Sequence, residues 1–306
     1  MPLIHHPLSA ADRVADAAFR AALASYPPME LVPATRGFFD TFMQTVPAAP
    51  GVAFAASDAG GCAGIWCHPA QTQYAGAILY LHGGAYNLGS AAGYRNVASQ
   101  IAARTGAAVF VADYRLAPEH RFPAAFDDAM AAYAALVRDY PVVALAGDSA
   151  GGGLALAIPA ALAATAMPAP AAVAVMSPWT DLTLAHDSHT SRAPHDPLLS
   201  RAALEAAASQ YAAGSDRRDP RMSPMYAIGA AMPPVFIQVG ADEVLLDDTV
   251  RYIEAMDARG NTAEAHVWEG MTHVFPTNFT MFAAAETAMA QLCANLQRRL
   301  GGDMTA

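Results

Sequence analysis

Lysine is absent from this chain of 306 residues: all 17 basic residues are arginine, set against 27 acidic ones. Beside so much alanine, its absence reads as the coding bias of a high-GC genome and carries no functional signal. The shortage of positive charge is more informative. A formal charge of −10 and a pI near 5.3 exclude nucleic acid and anionic membrane as natural partners, because both demand concentrated Lys and Arg. Cysteine is nearly as scarce. Cys62, Cys67 and Cys293 form an odd set without metal-ligand spacing, so they read as small hydrophobes in a reducing compartment. A secretion signal is lacking as well: Met1 to Ala10 holds two prolines and two histidines but no basic-then-apolar pattern, and the expected location is the cytoplasm. The uncharged stretch from Ser149 to Thr180 is long enough to span a bilayer, yet Pro159, Pro168 and Pro170 interrupt it. It reads as a buried helix, a turn and a buried strand, with Pro159 expected to kink the helix.

What the chain does contain is an alternation of apolar strands and helical spans. Helical spacing runs from Ser9 to about Ser25, stopped by Pro27-Pro28, and a second short helix is expected from Thr35 to Val46. Val52 to Ser57 and Cys62 to His68 read as the first two strands, joined by a turn at Asp58 to Gly61. Strands then follow at Ala77–Leu81, Ala108–Asp113, Val142–Ala146, Ala171–Met176, Val235–Gly240 and Glu264–Trp268. Helices are expected at Ser90–Arg104, Pro123–Asp139, after Ala146, at Ser200–Ala213, Asp247–Arg259 and Phe279–Leu300. Strands without polar alternation, separated by helices, imply an α/β fold whose mostly parallel sheet is buried on both faces. The length suits one domain over residues 1–306, with small helical cap elements from about 1–46 and from the polar, histidine-rich insertion at 181–215.

Within this frame, Gly147-Asp148-Ser149-Ala150-Gly151 follows an apolar strand and opens a helix, the context of a nucleophile elbow. A serine hydroxyl is a poor nucleophile at neutral pH, so it must be exposed on a sharp turn within reach of a base and of N–H groups that can meet an oxyanion. Upstream, His82-Gly83-Gly84-Ala85-Tyr86 follows the strand at 77–81 and supplies a second glycine loop. The expected oxyanion donors are the N–H groups of Gly83, Gly84 and Ala150.

With these two motifs the chain resembles the hormone-sensitive-lipase-like (bacterial family IV) carboxylesterases of the α/β-hydrolase fold. Further segments carry the resemblance: Asp113-Tyr114-Arg115-Leu116-Ala117-Pro118-Glu119, Phe122-Pro123-Ala124-Ala125, Ser177-Pro178-Trp179-Thr180-Asp181-Leu182 and Glu243-Val244-Leu245-Leu246-Asp247. They cover nearly everything after about residue 75, in the family's order. Ala85 departs from the pattern, since many members carry a third glycine there; an alanine narrows the loop's freedom but keeps the N–H.

On this fold the order is serine, acid, histidine. His273 follows the last strand and resembles the family's catalytic histidine segment, whereas its competitor His266 lies inside a strand. For the acid, Asp242 and Glu243 are adjacent; the family register selects Glu243, with Asp242 as the alternative. Asp113, Arg115 and Glu119 are expected to lock loops, Asp148 to support the nucleophile, and His82 to hold the glycine loop through its ring nitrogens. Phe38, Phe39, Tyr86 and Trp179 are candidate pocket walls, with core packing as the alternative reading. His186, His189, His195, Asp187 and Asp196 could suggest a metal site, but a polar solvated insertion explains them and no metal is expected. Ser200 is a candidate N-cap.

The resemblance implies a cofactor-independent serine esterase for small esters with short acyl chains, best at about four to six carbons. An amidase, lactonase or deacetylase would use the same triad, and a non-catalytic small-molecule-binding module is the alternative from another class. A homodimer is left open.

Overall fold

The computed structural model describes residues 3–25, 29–163 and 165–301. Among the described residues nine strands form one sheet: β1 (Leu3–His6), β2 (Ala53–Ala59), β3 (Cys62–His68), β4 (Ala77–Leu81), β5 (Ala108–Ala112), β6 (Val143–Asp148), β7 (Val173–Met176), β8 (Val235–Gly240) and β9 (Ala263–Trp268). Their spatial order is β1-β9-β8-β7-β6-β4-β5-β3-β2, and every pairing is parallel except those made by β3. The helices are α1 (Ala10–Leu23), α2 (Arg36–Met43), α3 (Ala91–Thr105), α4 (Ala124–Asp139), α5 (Ser149–Leu162), α6 (Ser188–Ser191), α7 (Arg201–Ala212), α8 (Leu246–Asp257) and α9 (Ala283–Leu300).

Why this sequence yields a sheet covered on both sides is visible in β4. Leu79 and Leu81 pack on one face with residues of α4 and α5, while Ile78 and Tyr80 pack on the other with α3 and α9. All five residues of β4 are buried, as are all those of β5 to β8. Each fully buried aliphatic side chain contributes about 1.5–3 kcal/mol relative to exposure, so a strand apolar on both faces is stable only where two layers of helix meet it. Serine caps set three helix starts: Ser9, Ser90 and Ser200 accept N–H groups three residues on, satisfying amides that the first turn leaves without partners.

The parallel registers align the carboxyl ends of the central strands. Leu81 sits opposite Gly147, Asp148 opposite Met176, Met176 opposite Gln238, and Gly240 opposite Trp268. The loops after β4, β6, β7, β8 and β9 therefore emerge side by side, the place where parallel α/β sheets bind ligands.

The first residues depart from the expected helical cap. Leu3–His6 is a strand, so the first element of the chain extends the sheet beside β9 and does not belong to the helical cap. Its four residues are too short to show periodicity, and their partner lies some 260 positions away. Pro159 sits inside α5 and is buried, with the helix continuing to Leu162. The Pro27-Pro28 stop lies outside the described residues; α1 ends before it, at Leu23.

Candidate active site

The turn between β6 and α5 carries Ser149 with φ +53°, a left-handed conformation that strains a residue with a side chain. Its flanking glycines are required by proximity. A Cβ at Gly147 would stand 2.6 Å from the Leu81 carbonyl oxygen, and one at Gly151 would collide with the carbonyls of Leu81 and His82. A side chain at either position would push the elbow off the end of β4. Ser149 is thus held against the glycine loop, at the start of a helix whose first amides lack intrahelical acceptors.

His273, on the loop after β9, places Nε2 2.9 Å from Ser149 Oγ. Behind it, Nδ1 lies 3.7 Å from Oε1 of the fully buried Glu243. That is an ion-pair distance, longer than a hydrogen bond, but neither atom is claimed by another group among the described residues. The other Glu243 oxygen accepts from Ser177 Oγ at 2.8 Å, and Ser177 Oγ in turn accepts the Val274 N–H at 3.0 Å. Burial raises the Glu243 carboxyl, against the opposing pull of His273 and the Ser177 hydrogen bond. For His273 burial pulls the imidazole down, but Glu243, helped by Asp196 and Asp148, outweighs it and the pKa rises above 6.5. Asp242 points elsewhere: its carboxylate is 3.0 Å from Arg20 Nη2 and partly exposed.

The glycine loop requires a correction. The Gly83 N–H donates to Asp148 Oδ1 at 3.0 Å, so it is already spent and cannot also face an oxyanion. Asp148 Oδ1 also accepts from Tyr80 Oη at 2.7 Å, and Oδ2 from Tyr94 Oη at 3.0 Å. Burial pushes this carboxyl up to about 6 despite those three donors. The N–H groups of Gly84 and Ala85, by contrast, donate to no group among the described residues. Ala85 has φ +54° and Gly84 φ +112°, which turns this part of the loop back on itself.

Comparison with known proteins identifies the family. Residues 78–277 match a model of the alpha/beta hydrolase fold family. An acetyl-hydrolase from Streptomyces hygroscopicus is 43% identical over 219 residues, 71% of this chain and 73% of that protein. The ethyl acetate hydrolase of Pseudomonas putida is 32% identical over 234 residues, covering 73% of each chain. Among solved structures, a hormone-sensitive lipase from a metagenome library superposes with a TM-score of 0.88 at 33% identity, over 93% of this chain and 98% of that one. The chain belongs to the hormone-sensitive-lipase-like carboxylesterases. The esterase EstE5 is a further structural relative, with TM-score 0.87, 34% identity and coverage of 94% and 99%.

The remaining candidate residues of this esterase divide by burial. His82 is fully buried between the rings of Tyr94 and Tyr114, with Nδ1 2.7 Å from the Gly83 carbonyl. A carbonyl only accepts, so Nδ1 carries the proton and the ring braces the loop. Tyr86 and Trp179 are also fully buried; Tyr86 stacks on Tyr211 of α7 at 3.9 Å, and the Trp179 N–H donates to the Ser149 carbonyl. Both pack as core behind the elbow. Phe39 is half-buried against Tyr94, and Phe38 is 60% exposed on α2. Arg115 pairs with Asp128 and Glu119 with Arg36, and Asp113 accepts the Ala91 N–H, so all three tie loops together. His266 bonds His6 and Glu264 within the sheet and stays away from Ser149.

The insertion at 181–215 is less solvated than its composition implies. His189 is fully buried with Nε2 3.2 Å from buried Asp248, because Asp248 also accepts the Thr180 and Asp181 N–H groups and draws the insertion onto the core. No metal-binding cluster occurs among the described residues. Ser177, which bonds Glu243, and Arg20, which pairs with Asp242, are contacts that sequence reasoning missed. The sequence signals for Ser177 are its place directly after β7 and at the head of the Ser177-Pro178-Trp179 segment; Arg20 has none.

Proposed function

We propose that the chain hydrolyses small carboxylic esters with short acyl chains through a Ser149–His273–Glu243 triad, without cofactor or metal. The observation that carries the reading is the 2.9 Å approach of His273 Nε2 to Ser149 Oγ, with a buried carboxylate behind Nδ1. Ser149 Oγ attacks the ester carbonyl as His273 takes its proton, and the tetrahedral oxyanion is met by the N–H groups of Gly84, Ala85 and Ala150. Glu243 stabilises the imidazolium and keeps Nδ1 protonated. His273 then protonates the leaving alkoxide, and a water molecule, deprotonated by His273, attacks the acyl-enzyme to release the acid and free Ser149. The names of the relatives that hydrolyse acetyl groups and ethyl acetate support a small acyl group.

A single domain with cap elements from α1, α2 and the 181–215 insertion suits this chemistry, since a small cap encloses only a small acyl group. No helix among the described residues is long and apolar enough to cross a membrane. Three free, buried cysteines suit a reducing compartment, and the cytoplasm is the proposed location. Against the binding-module alternative stands the presence of nucleophile and base at bonding distance.

Ser149→Ala tests the reading on a panel of p-nitrophenyl esters, anilides and lactones. Ester turnover should fall by about 10⁴-fold or more, with the melting temperature unchanged. Near-normal turnover would overturn it, and faster cleavage of anilides or lactones would reassign the substrate class.

A further inference from the structure

Arg20, on α1, takes no part in the chemistry yet touches every loop that carries the acid and the base. Its Nε donates to both carboxylate oxygens of Asp16, one turn earlier, at 2.8 and 2.7 Å, which aims the guanidinium. Nη1 donates to the His195 carbonyl at 2.5 Å, and Nη2 donates to Asp242 Oδ2 at 3.0 Å and more weakly to the Gly270 carbonyl at 3.4 Å. Each acceptor neighbours a working group. His195 precedes Asp196, whose Oδ2 accepts the Val244 N–H at 2.9 Å; Asp242 precedes Glu243; Gly270 opens the turn that ends at His273. One side chain therefore bonds the cap insertion, the acid loop and the histidine loop at once. A planar fork with five donors can do this, and a lysine ammonium on its flexible stem cannot reach all three in fixed geometry.

We propose that Arg20 is a positioning residue of the esterase, which sets Glu243 against His273 by holding Asp242 and the carbonyls of His195 and Gly270 on one guanidinium. The inference rests on the triad reading above. Arg20 also pairs with the carboxylate beside Glu243, 3.0 Å from its Nη2. The clamped Glu243–His273 separation of 3.7 Å lies within an ångström of a hydrogen bond, and without the clamp the acid and histidine loops are free to drift further apart. Misplacement of a catalytic group by about 1 Å costs up to about 10²-fold in rate.

The test is steady-state kinetics of the full chain on p-nitrophenyl acetate for Arg20→Met, Arg20→Lys, Asp242→Asn and the double variant Arg20→Met/Asp242→Asn, with Ser149→Ala as reference. Arg20→Met should lower kcat at least about tenfold with KM within about twofold, because positioning acts on the transition state and leaves ground-state binding alone. Arg20→Lys should recover only part of that loss. Since Asp242 acts through Arg20, the double variant should be no slower than Arg20→Met alone. A kcat within twofold of wild type in Arg20→Met, a loss confined to KM, or losses that multiply in the double variant would each overturn the proposal. Should Arg20→Met fail to fold, Arg20→Lys decides, and wild-type kcat there overturns it. If Ser149→Ala stays active the triad reading falls; if it is inactive while the Arg20 variants are unaffected, only this inference does.

Discussion

Replacing Glu243 with glutamine keeps the shape of a fully buried side chain and removes its charge, and the structure sets the size of the expected loss. When His273 takes the Ser149 proton, an imidazolium forms with Glu243 Oε1 3.7 Å from Nδ1. At an effective dielectric constant of about 20, a unit charge at that distance stabilises the imidazolium by about 4.5 kcal/mol, roughly two thousandfold in rate. A second effect adds to this: the amide can offer an N–H to Nδ1, which turns the imidazole to the tautomer that cannot accept from Ser149, so kcat should fall by about 10³- to 10⁴-fold. Ser177 Oγ can still donate to the amide oxygen, so the fold should survive. Asp242→Asn provides the contrast. Its carboxylate faces Arg20 and is partly exposed, so kcat should stay within about tenfold of wild type. Stopped-flow and steady-state hydrolysis of p-nitrophenyl acetate, with thermal melts of each variant, make the comparison. A healthy Glu243→Gln beside a crippled Asp242→Asn would refute the reasoning and transfer the role by one residue.

Across p-nitrophenyl esters of increasing length, kcat/KM should fall beyond about six acyl carbons, because a methylene that fits contributes about 0.8 kcal/mol and one that does not fit costs strain; a continued rise through long-chain esters would contradict the small acyl site. The acidic limb of kcat/KM should lie above 6.5, since the free base is lost as pH falls through a raised His273 pKa, and in Glu243→Gln it should drop below that value because burial then acts without the carboxylate. A limb at or below 6.5 in the wild type would refute the assigned pairing. Replacing Ala85 with lactic acid, which exchanges its N–H for an ester oxygen, should cost about 10²- to 10³-fold in kcat, while glycolic acid in place of Gly83 should cost less than about tenfold; the reverse order would return the oxyanion role to Gly83.

What could be read in the sequence was whatever a short stretch of chain decides for itself. The apolar run into Gly147, the paired glycines around Ser149 and the uninterrupted helix after it announce strand, elbow and helix because all three are local demands on backbone and volume. The position of His273 follows from chain order on that fold. Contacts set by distant partners left no such trace. Leu3–His6 becomes a strand because β9 offers an edge, and Ser177 gains a role because Glu243 arrives beside it 66 positions later. His189 looks like surface polarity until Asp248, itself held by two backbone N–H groups, draws it inside. The glycine loop shows the limit most sharply. Gly83, Gly84 and Ala85 each carry one N–H, and the motif identifies the loop without saying which of them are free. That depends on Asp148, 65 residues on, whose carboxylate reaches across from the end of β6 to the Gly83 amide. In taking that donor, Asp148 ties the loop to the elbow and leaves the next two amides, to which the oxyanion role is proposed, without a partner among the described residues. On the proposed mechanism the residue before Ser149 bears on catalysis without transferring a proton, by deciding which backbone groups remain available.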